Sequence, residues 1–299
     1  MRIGYACINM TLGSNKNRVT TNRGMVKKTF SDKGLEYVSE LVIENLKDLI
    51  TIIKWNYKNG IDFYRMSSDM FPWMSEYKFE DLPNFEKIKE LLVEAGKLAF
   101  EYDQRLTFHP GPFNVLCSPK EDVVIKTIDE LNKHAQIMDM MQLSATPYNK
   151  INIHIGGVYG DKESALERWV ENFSRLGETT KSRLTIENDD KTSCYTVKDL
   201  MYVSEKLNIP IVFDYHHHQF CTGGLSEEEA LKLAATTWPD GIRQEVHYSE
   251  SKALHENNPK EKPQAHSLYI NALPNTYGLD VDIMVEAKGK ELAILPFIK

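Results

Sequence analysis

A chain of 299 residues, 41% of them hydrophobic, is long enough to bury a full core and fits either one large barrel or two smaller domains. Its 36 basic and 43 acidic residues leave a net charge of -7, which excludes a protein that grips nucleic acid through overall charge; a DNA partner would have to be held by local patches and bound cations. The four cysteines, Cys7, Cys117, Cys194 and Cys221, are scattered without a CxxC pair, which excludes a disulfide framework and a zinc ribbon.

The opening run MRIGYACINM lacks the basic start and cleavage site of a secretory signal. No later stretch approaches the ~20 apolar residues of a membrane span. The expectation is a soluble intracellular protein of the cytoplasm or nucleus with no membrane partner. Along the chain, short β-branched or aromatic runs bounded by turn residues alternate with amphipathic stretches, the pattern of βα units around a parallel sheet. The first strand is expected over 2–8, followed by a loop carrying Lys16, Arg18, Arg23, Lys27 and Lys28. A helix over 35–57 then sets Leu35, Val38, Leu41, Val42, Leu46, Leu49, Ile50 and Ile53 on one face and stops near Gly60. Strand 61–66 and helix 85–102 follow, then strand 105–109 and helix 120–141, then strand 151–155 and helix 162–180 with its stop at Gly177. Strands 183–187 and 209–214 come next, and Ser226 with Glu229 forms a capping box for a helix running toward Trp238. Strands 242–248 and 282–287 complete the set. Eight such units need ~250 residues, so the spacing predicts a single (β/α)8 TIM barrel, one domain over 1–299.

Ionisable residues fall at the ends of these strands. His109 ends RLTFH, His154 ends INIH, Glu187 ends LTIE, Asp214 ends IPIVFD, His247 ends QEVH and Glu286 ends DIMVE. In such a barrel these positions converge on the C-terminal mouth, where sites are built. Any one histidine after an apolar strand reads most simply as a hydrogen-bonded core residue; six ionisable groups at equivalent positions do not. Gathering them in one desolvated mouth without counter-ions costs several kcal/mol per charge, and divalent cations are the natural compensation. FDYHHHQ adds His216, His217 and His218; Asp214 and His217 are expected to turn toward the cavity, and one or two of the three histidines to be structural or exposed. His266 in QAHSLYIN is a further ligand candidate. Mixed imidazole and carboxylate donors suit Zn2+, Mn2+ or Fe2+ and supply two or three ions, with Glu187 and Glu286 placed to bridge neighbouring ones. No cysteine or serine has a paired base, so hydrolysis by metal-activated hydroxide is the economical chemistry.

At these motifs the sequence resembles the UV damage endonuclease family. The resemblance runs through GYACIN, YRMSSDMFPW, FHPGPFNVLCSP, NIHIGGVYGDK, LTIENDDKT, VFDYHHH, VHYSES and IMVEAKGKE, in order, across nearly the whole chain. It implies a TIM barrel, damaged double-stranded DNA as partner, and incision immediately 5′ of UV photoproducts, with other distorting lesions and abasic sites as further substrates. It implies Mn2+ as the metal, with Zn2+ kept as the alternative that the donor types allow; no organic cofactor and a monomeric state are further expectations. By matching motifs it points to His109, His154, Glu187, Asp214, His217, His247, His266 and Glu286 as ligands. Tyr5 and Asn9 stand where the family contacts the lesion, and the loop 109–113 resembles the loop that probes the damaged bases. Where the family has glutamine this chain has Pro112, which leaves Phe113 as the probe. Where the family has lysine two residues before the histidine of VHYS, this chain has Glu245, a further possible metal ligand; Glu76 replaces a family histidine and is given no role. The basic loop residues are expected to track phosphates, and Lys288 to stabilise the scissile one. The family's relatives, endonuclease IV-type abasic-site enzymes and metal-dependent sugar isomerases, define the competing functions.

Overall fold

In a computed structural model that describes residues 1–14 and 18–298, eight short strands pair in parallel: β1 (Ile3–Ala6), β2 (Phe63–Arg65), β3 (Arg105–Thr107), β4 (Ile151–His154), β5 (Leu184–Glu187), β6 (Ile211–Asp214), β7 (Gln244–Tyr248) and β8 (Val281–Val285). Their order is β3-β2-β1-β8-β7-β6-β5-β4. The outer two close on each other through Phe108, whose N–H donates to the Lys150 carbonyl at 2.9 Å and whose carbonyl accepts from Asn152 N–H at 3.0 Å. The result is the (β/α)8 barrel expected from the spacing. Seven of the eight strands lie inside the expected runs, and β8 begins one residue before its own, at Val281.

Register decides which residues meet. His154 pairs with Glu187 across β4 and β5, and Asp214 with His247 across β6 and β7, so the polar strand ends stand at one level. Below that level the barrel interior is charged. Arg105, fully buried, lies 3.0 Å from Asp282 and 3.5 Å from Glu245, and Lys150 lies 2.9 Å from Glu245. The strands' other faces pack aliphatic and aromatic side chains against the surrounding helices, with Trp169 the largest fully buried one.

The helices differ from expectation at their ends. The first begins earlier, over Lys27–Lys58, and contains a break at Gly34, where φ is 60° and ψ -155°. The helix expected over 162–180 is two, Lys162–Phe173 and Glu178–Arg183, and Gly177 caps the start of the second instead of ending the first. Arg183 is therefore helical, not the start of a strand. Ser226 and Glu229 form the expected capping box, but that helix ends at Ala235, short of Trp238. Among the described residues, helices beyond the expectation include Val197–Leu207, opened by a Thr196–Asp199 capping box, Tyr215–Phe220, which carries the three histidines, and the short Met10–Gly13, Lys252–His255 and Glu291–Ile294. Among the described residues no helix is long and apolar enough to cross a membrane.

Gly96 marks a close approach. A Cβ placed there would lie 1.7 Å from the Met141 carbonyl oxygen, where the Phe85–Glu101 helix meets the end of Glu121–Met140. In an open helix, glycine to alanine stabilises by about 1 kcal/mol. Here the backbone contact reverses the sign: Gly96→Ala is expected to destabilise by about 1–3 kcal/mol in urea unfolding, as overpacking does.

Candidate metal centre

Glu187 ends β5 with its carboxylate fully buried at the centre of the mouth. Its Oε2 lies 3.0 Å from His109 Nε2 and 3.8 Å from His154 Nε2, and accepts a hydrogen bond from the Asn152 side chain. Its Oε1 lies 3.1 Å from His247 Nδ1 and 3.4 Å from His217 Nδ1. Glu286, one residue past β8, stands 3.5 Å from His247 Nδ1 and is paired with Arg65 from the end of β2. Asp214 caps the Tyr215–Phe220 helix, its Oδ1 accepting from His217 N–H at 2.8 Å.

That single helical turn brings Asp214 and His217 to one side, because residues three apart on a helix share a face. His216 and His218 are consequently turned into the protein. His216 Nε2 lies 3.0 Å from the Gln264 carbonyl, and His218 packs 5.2 Å from the Phe213 ring. Both are buried and structural.

Three groups of donors lie close enough to share an ion: His109, His154 and Glu187; Glu187, Asp214 and His217; His109, His247 and Glu286. The donors fit cations on a further observation. Glu187 Oε1, Asp214 Oδ2, His154 Nδ1 and His247 Nδ1 are all buried and without an aligned hydrogen bond, although several sit within ion-pair reach of each other. Buried polar atoms left this way are costly, and a cation satisfies them. The tautomers agree. His109 Nδ1 is 3.2 Å from the Pro110 carbonyl and His217 Nδ1 is 2.9 Å from the Asn188 carbonyl, so each must donate there and leaves Nε2 as the open donor atom.

Charge is unevenly distributed over the imidazoles. Burial pulls His109 down to about 4, so it is neutral and ready to ligate. Burial also opposes protonation of His154 and His247, but Glu187 outweighs it in both, helped by Asp189 at His154, and lifts them to about 10 and about 9. Burial raises Asp214 to about 7. Burial opposes ionisation of Glu187 as well, yet His247 and His154 hold it well below the usual carboxylate range.

The remaining candidates are spread around this centre. Glu245, a further possible ligand in the sequence, lies outside the three groups: it is two residues before His247 on the same strand face, one layer deeper, and burial is overcome there by Lys150 and Arg105, which hold it down to about 2. It faces His247 Nε2 at 3.4 Å, beneath the ring. His266 also lies outside the groups, its Nδ1 2.6 Å from Ser249 Oγ and its ring 5.2 Å from His216. Tyr5 and Asn9, expected at the lesion, are buried and bonded to each other at 2.9 Å, with Tyr5 also donating to Asn56, so neither presents a free face to DNA here. Arg23 is bound to Asp48 and to the Thr20 carbonyl, each at 2.6 Å, while Arg18 is exposed; Lys16 lies outside the described residues. Pro112 and Phe113 stand at an exposed loop tip, Phe113 with 87% of its surface accessible. Lys288 and Glu76 are exposed.

Sequence reasoning missed Arg65, Asn152 and Asp189. Arg65 and Asn152 sit inside the YRM and INIH runs and read there as strand filler. Asp189, 3.2 Å from His154 Nδ1, was visible only as part of the acidic run ENDD.

A closed parallel barrel whose strand ends converge imidazoles and carboxylates on three shared donor groups defines a (β/α)8 protein with a candidate multi-metal centre. The chain belongs to the UV-endonuclease UvdE family, whose profile matches residues 1–299. It is 40% identical to the UV-damage endonuclease of Schizosaccharomyces pombe over 306 residues, covering 98% of this chain and 49% of that protein. The chain spans about half the length of the curated fungal relatives it matches, 49% and 51%. The crystal structure of SacUVDE superposes with a TM-score of 0.85 at 34% identity, covering 100% of this chain and 96% of that one. Endonuclease IV of Thermus thermophilus, with a TM-score of 0.54, 10% identity and coverage of 80% and 87%, is alike in fold alone.

Two imidazoles that hold protons above neutral pH must lose them to bind a cation. Affinity is therefore expected to rise between pH 6 and pH 9, with protons released on binding at pH 7. Titration calorimetry in two buffers of different ionisation enthalpy reads that release directly; identical heats would contradict it. In metal-free protein the same two groups, raised above 6.5, stabilise the fold fully below that pH and lose the contribution as pH passes about 9 and then about 10. Thermal melts across that window should fall accordingly.

Proposed function

We propose that this chain is a DNA-repair endonuclease that hydrolyses the phosphodiester immediately 5′ of UV photoproducts in duplex DNA, with two or three divalent cations, Mn2+ foremost. The observation that carries the reading is Glu187: one buried carboxylate shared by two donor groups, with a third group built on the neighbouring His109. Clustered donor groups of this kind serve phosphodiester cleavage, in which bound cations supply a water of lowered pKa and neutralise the departing oxygen. Membership of the UvdE family points to DNA as the substrate.

The chain's own residues supply the rest. Asn152 orients Glu187, Arg65 holds Glu286 charged and in place, and the Asn188 and Pro110 carbonyls fix the two imidazoles that present Nε2. A cavity of about 760 Å³ opens beside His154 and His217, lined by Phe113, Tyr159, Lys126 and Lys191. Its size suits extruded nucleotides, its aromatic rings offer stacking, and its two lysines offer phosphate contacts. Phe113, exposed at the rim, is placed to wedge into the base stack as the damaged bases leave it.

The test uses end-labelled duplexes carrying one photoproduct, one abasic site or no lesion, incubated with the chain and Mn2+. A nick immediately 5′ of the photoproduct is expected, and Glu187→Gln should reduce it by at least about a hundredfold while preserving the fold by circular dichroism. Cutting confined to the abasic site would reassign the substrate. Absence of cutting with any divalent cation would remove the nuclease reading and reopen sugar isomerisation.

A further inference from the structure

The turn that follows β8 holds a lysine that none of the three donor groups uses. Lys290 has φ 55° and ψ -127°, a region that glycine occupies freely and that strains a residue with a side chain. Such strain persists only where the surroundings enforce it, and here both flanks do. On one side Lys288 N–H donates to the Ser267 carbonyl at 2.9 Å and Gly289 N–H to the Leu268 carbonyl at 2.8 Å, so close that a Cβ at Gly289 would lie 2.5 Å from that oxygen. On the other side the buried Glu291 carboxylate accepts from Met10 N–H at 2.8 Å, from Thr11 N–H at 2.6 Å and from Thr11 Oγ1 at 2.8 Å. The turn is thus tied to the loop after β7 and to the loop after β1.

The side chain so held is half-buried, and among the described residues it has no ion-pair partner. Its charged neighbours are Arg65, Glu286 and Lys288, which lie at or just past the C-terminal ends of β2 and β8. Burial, with Arg65 and Lys288 adding like charge, pulls the ammonium below its ordinary pKa, so its charge there is unfavourable until an anion arrives. Arg65 adds a second sign of an incomplete site: its Nη1 is bound to Glu286, while its Nε is buried with no hydrogen-bond partner among the described residues. Arg65, Lys288 and Lys290 are therefore three cations within electrostatic reach of one another, and one carboxylate, Glu286, already paired with Arg65, stands among them. A strained, unpaired ammonium beside a cation cluster matches a single oxyanion.

We infer that Lys290 seats a backbone phosphate of the bound DNA strand, next to the phosphate that lies at the donor groups, and so sets the strand's register across the mouth. This deepens the endonuclease reading and rests on it. A phosphate contact positions the strand without reading its sequence, so its loss weakens damaged and undamaged duplexes alike.

The test measures binding of the full chain to a photoproduct duplex and to its undamaged counterpart by fluorescence anisotropy, with Ca2+ in place of Mn2+, over a salt series. Lys290→Met is expected to weaken both duplexes by a similar factor and to lower the slope of log K against log salt by about 0.9, the share of one phosphate. Manganese content per chain should be unchanged, and the melting temperature unchanged or higher. Lys290→Gly should lose the same affinity while raising the melting temperature further, since glycine suits the backbone. Lys290→Arg should recover part of the slope. An unaltered slope and affinity in Lys290→Met, with wild type nicking normally, overturns the inference alone. A fall in melting temperature or manganese content in that variant overturns it in favour of a structural role. Wild type that neither binds nor nicks damaged duplex overturns both this inference and the reading beneath it.

Discussion

One buried carboxylate organises the mouth of this barrel. Glu187 has no accessible surface, and an ionised carboxylate taken from water that far carries a penalty of several kcal/mol unless charge and hydrogen bonds meet it. The structure meets it with four imidazoles, from the ends of β3, β4 and β7 and from the helix after β6, and with the Asn152 amide. Removing any contributor leaves the same carboxylate less compensated. The site is for that reason an ensemble whose members have little independent meaning, and its protonation state belongs to the cluster: His154 and His247 carry protons because Glu187 does not.

Beneath the mouth a second set of charges holds the first. Glu245 sits under His247, kept ionised by Lys150 and Arg105, and Asp282 completes the layer with Arg105 and Arg243. Buried ion pairs of this kind contribute little net stability compared with an apolar core. What they supply is direction. The His247 ring has Glu245 on its Nε2 side and Glu187 with Glu286 on its Nδ1 side, so its donor atom faces the mouth. The same logic reaches the rim, where Arg65 holds Glu286 and the turn after β8 is tied to loops on either side.

The loops above the barrel divide into two kinds. The exposed tip at Pro112 and Phe113 stands clear of the protein, beside a large open cavity, and is free to meet a partner. The end of β1 and the loop after it are the opposite at three positions: Tyr5, Asn9 and Arg23 are engaged with Asn56, Asp48 and backbone carbonyls, and Glu291 clamps the loop's start. Residues that look alike in sequence, a basic or aromatic side chain in a loop after a strand, therefore have different uses, and only their neighbours tell them apart.

Much of this was legible in the sequence. The alternation of short β-branched runs with amphipathic stretches determined the eight strands, because a parallel sheet covered on both faces demands that pattern, and the ionisable residues at the ends of six of those runs marked the mouth, because strand ends are where apolar packing stops. Tertiary structure alone decided the rest. That Asp214 and His217 face one cavity while His216 and His218 do not depends on a helical turn starting at Asp214, which the segment shows only once its cap is formed. That Glu245 supports where the neighbouring His247 presents a donor depends on depth in the barrel, and alternation along a strand sets the face but not the layer. That Lys290 is strained and unpaired depends on hydrogen bonds to Ser267, Leu268, Met10 and Thr11, residues up to 281 positions away in the chain, whose proximity no local pattern records.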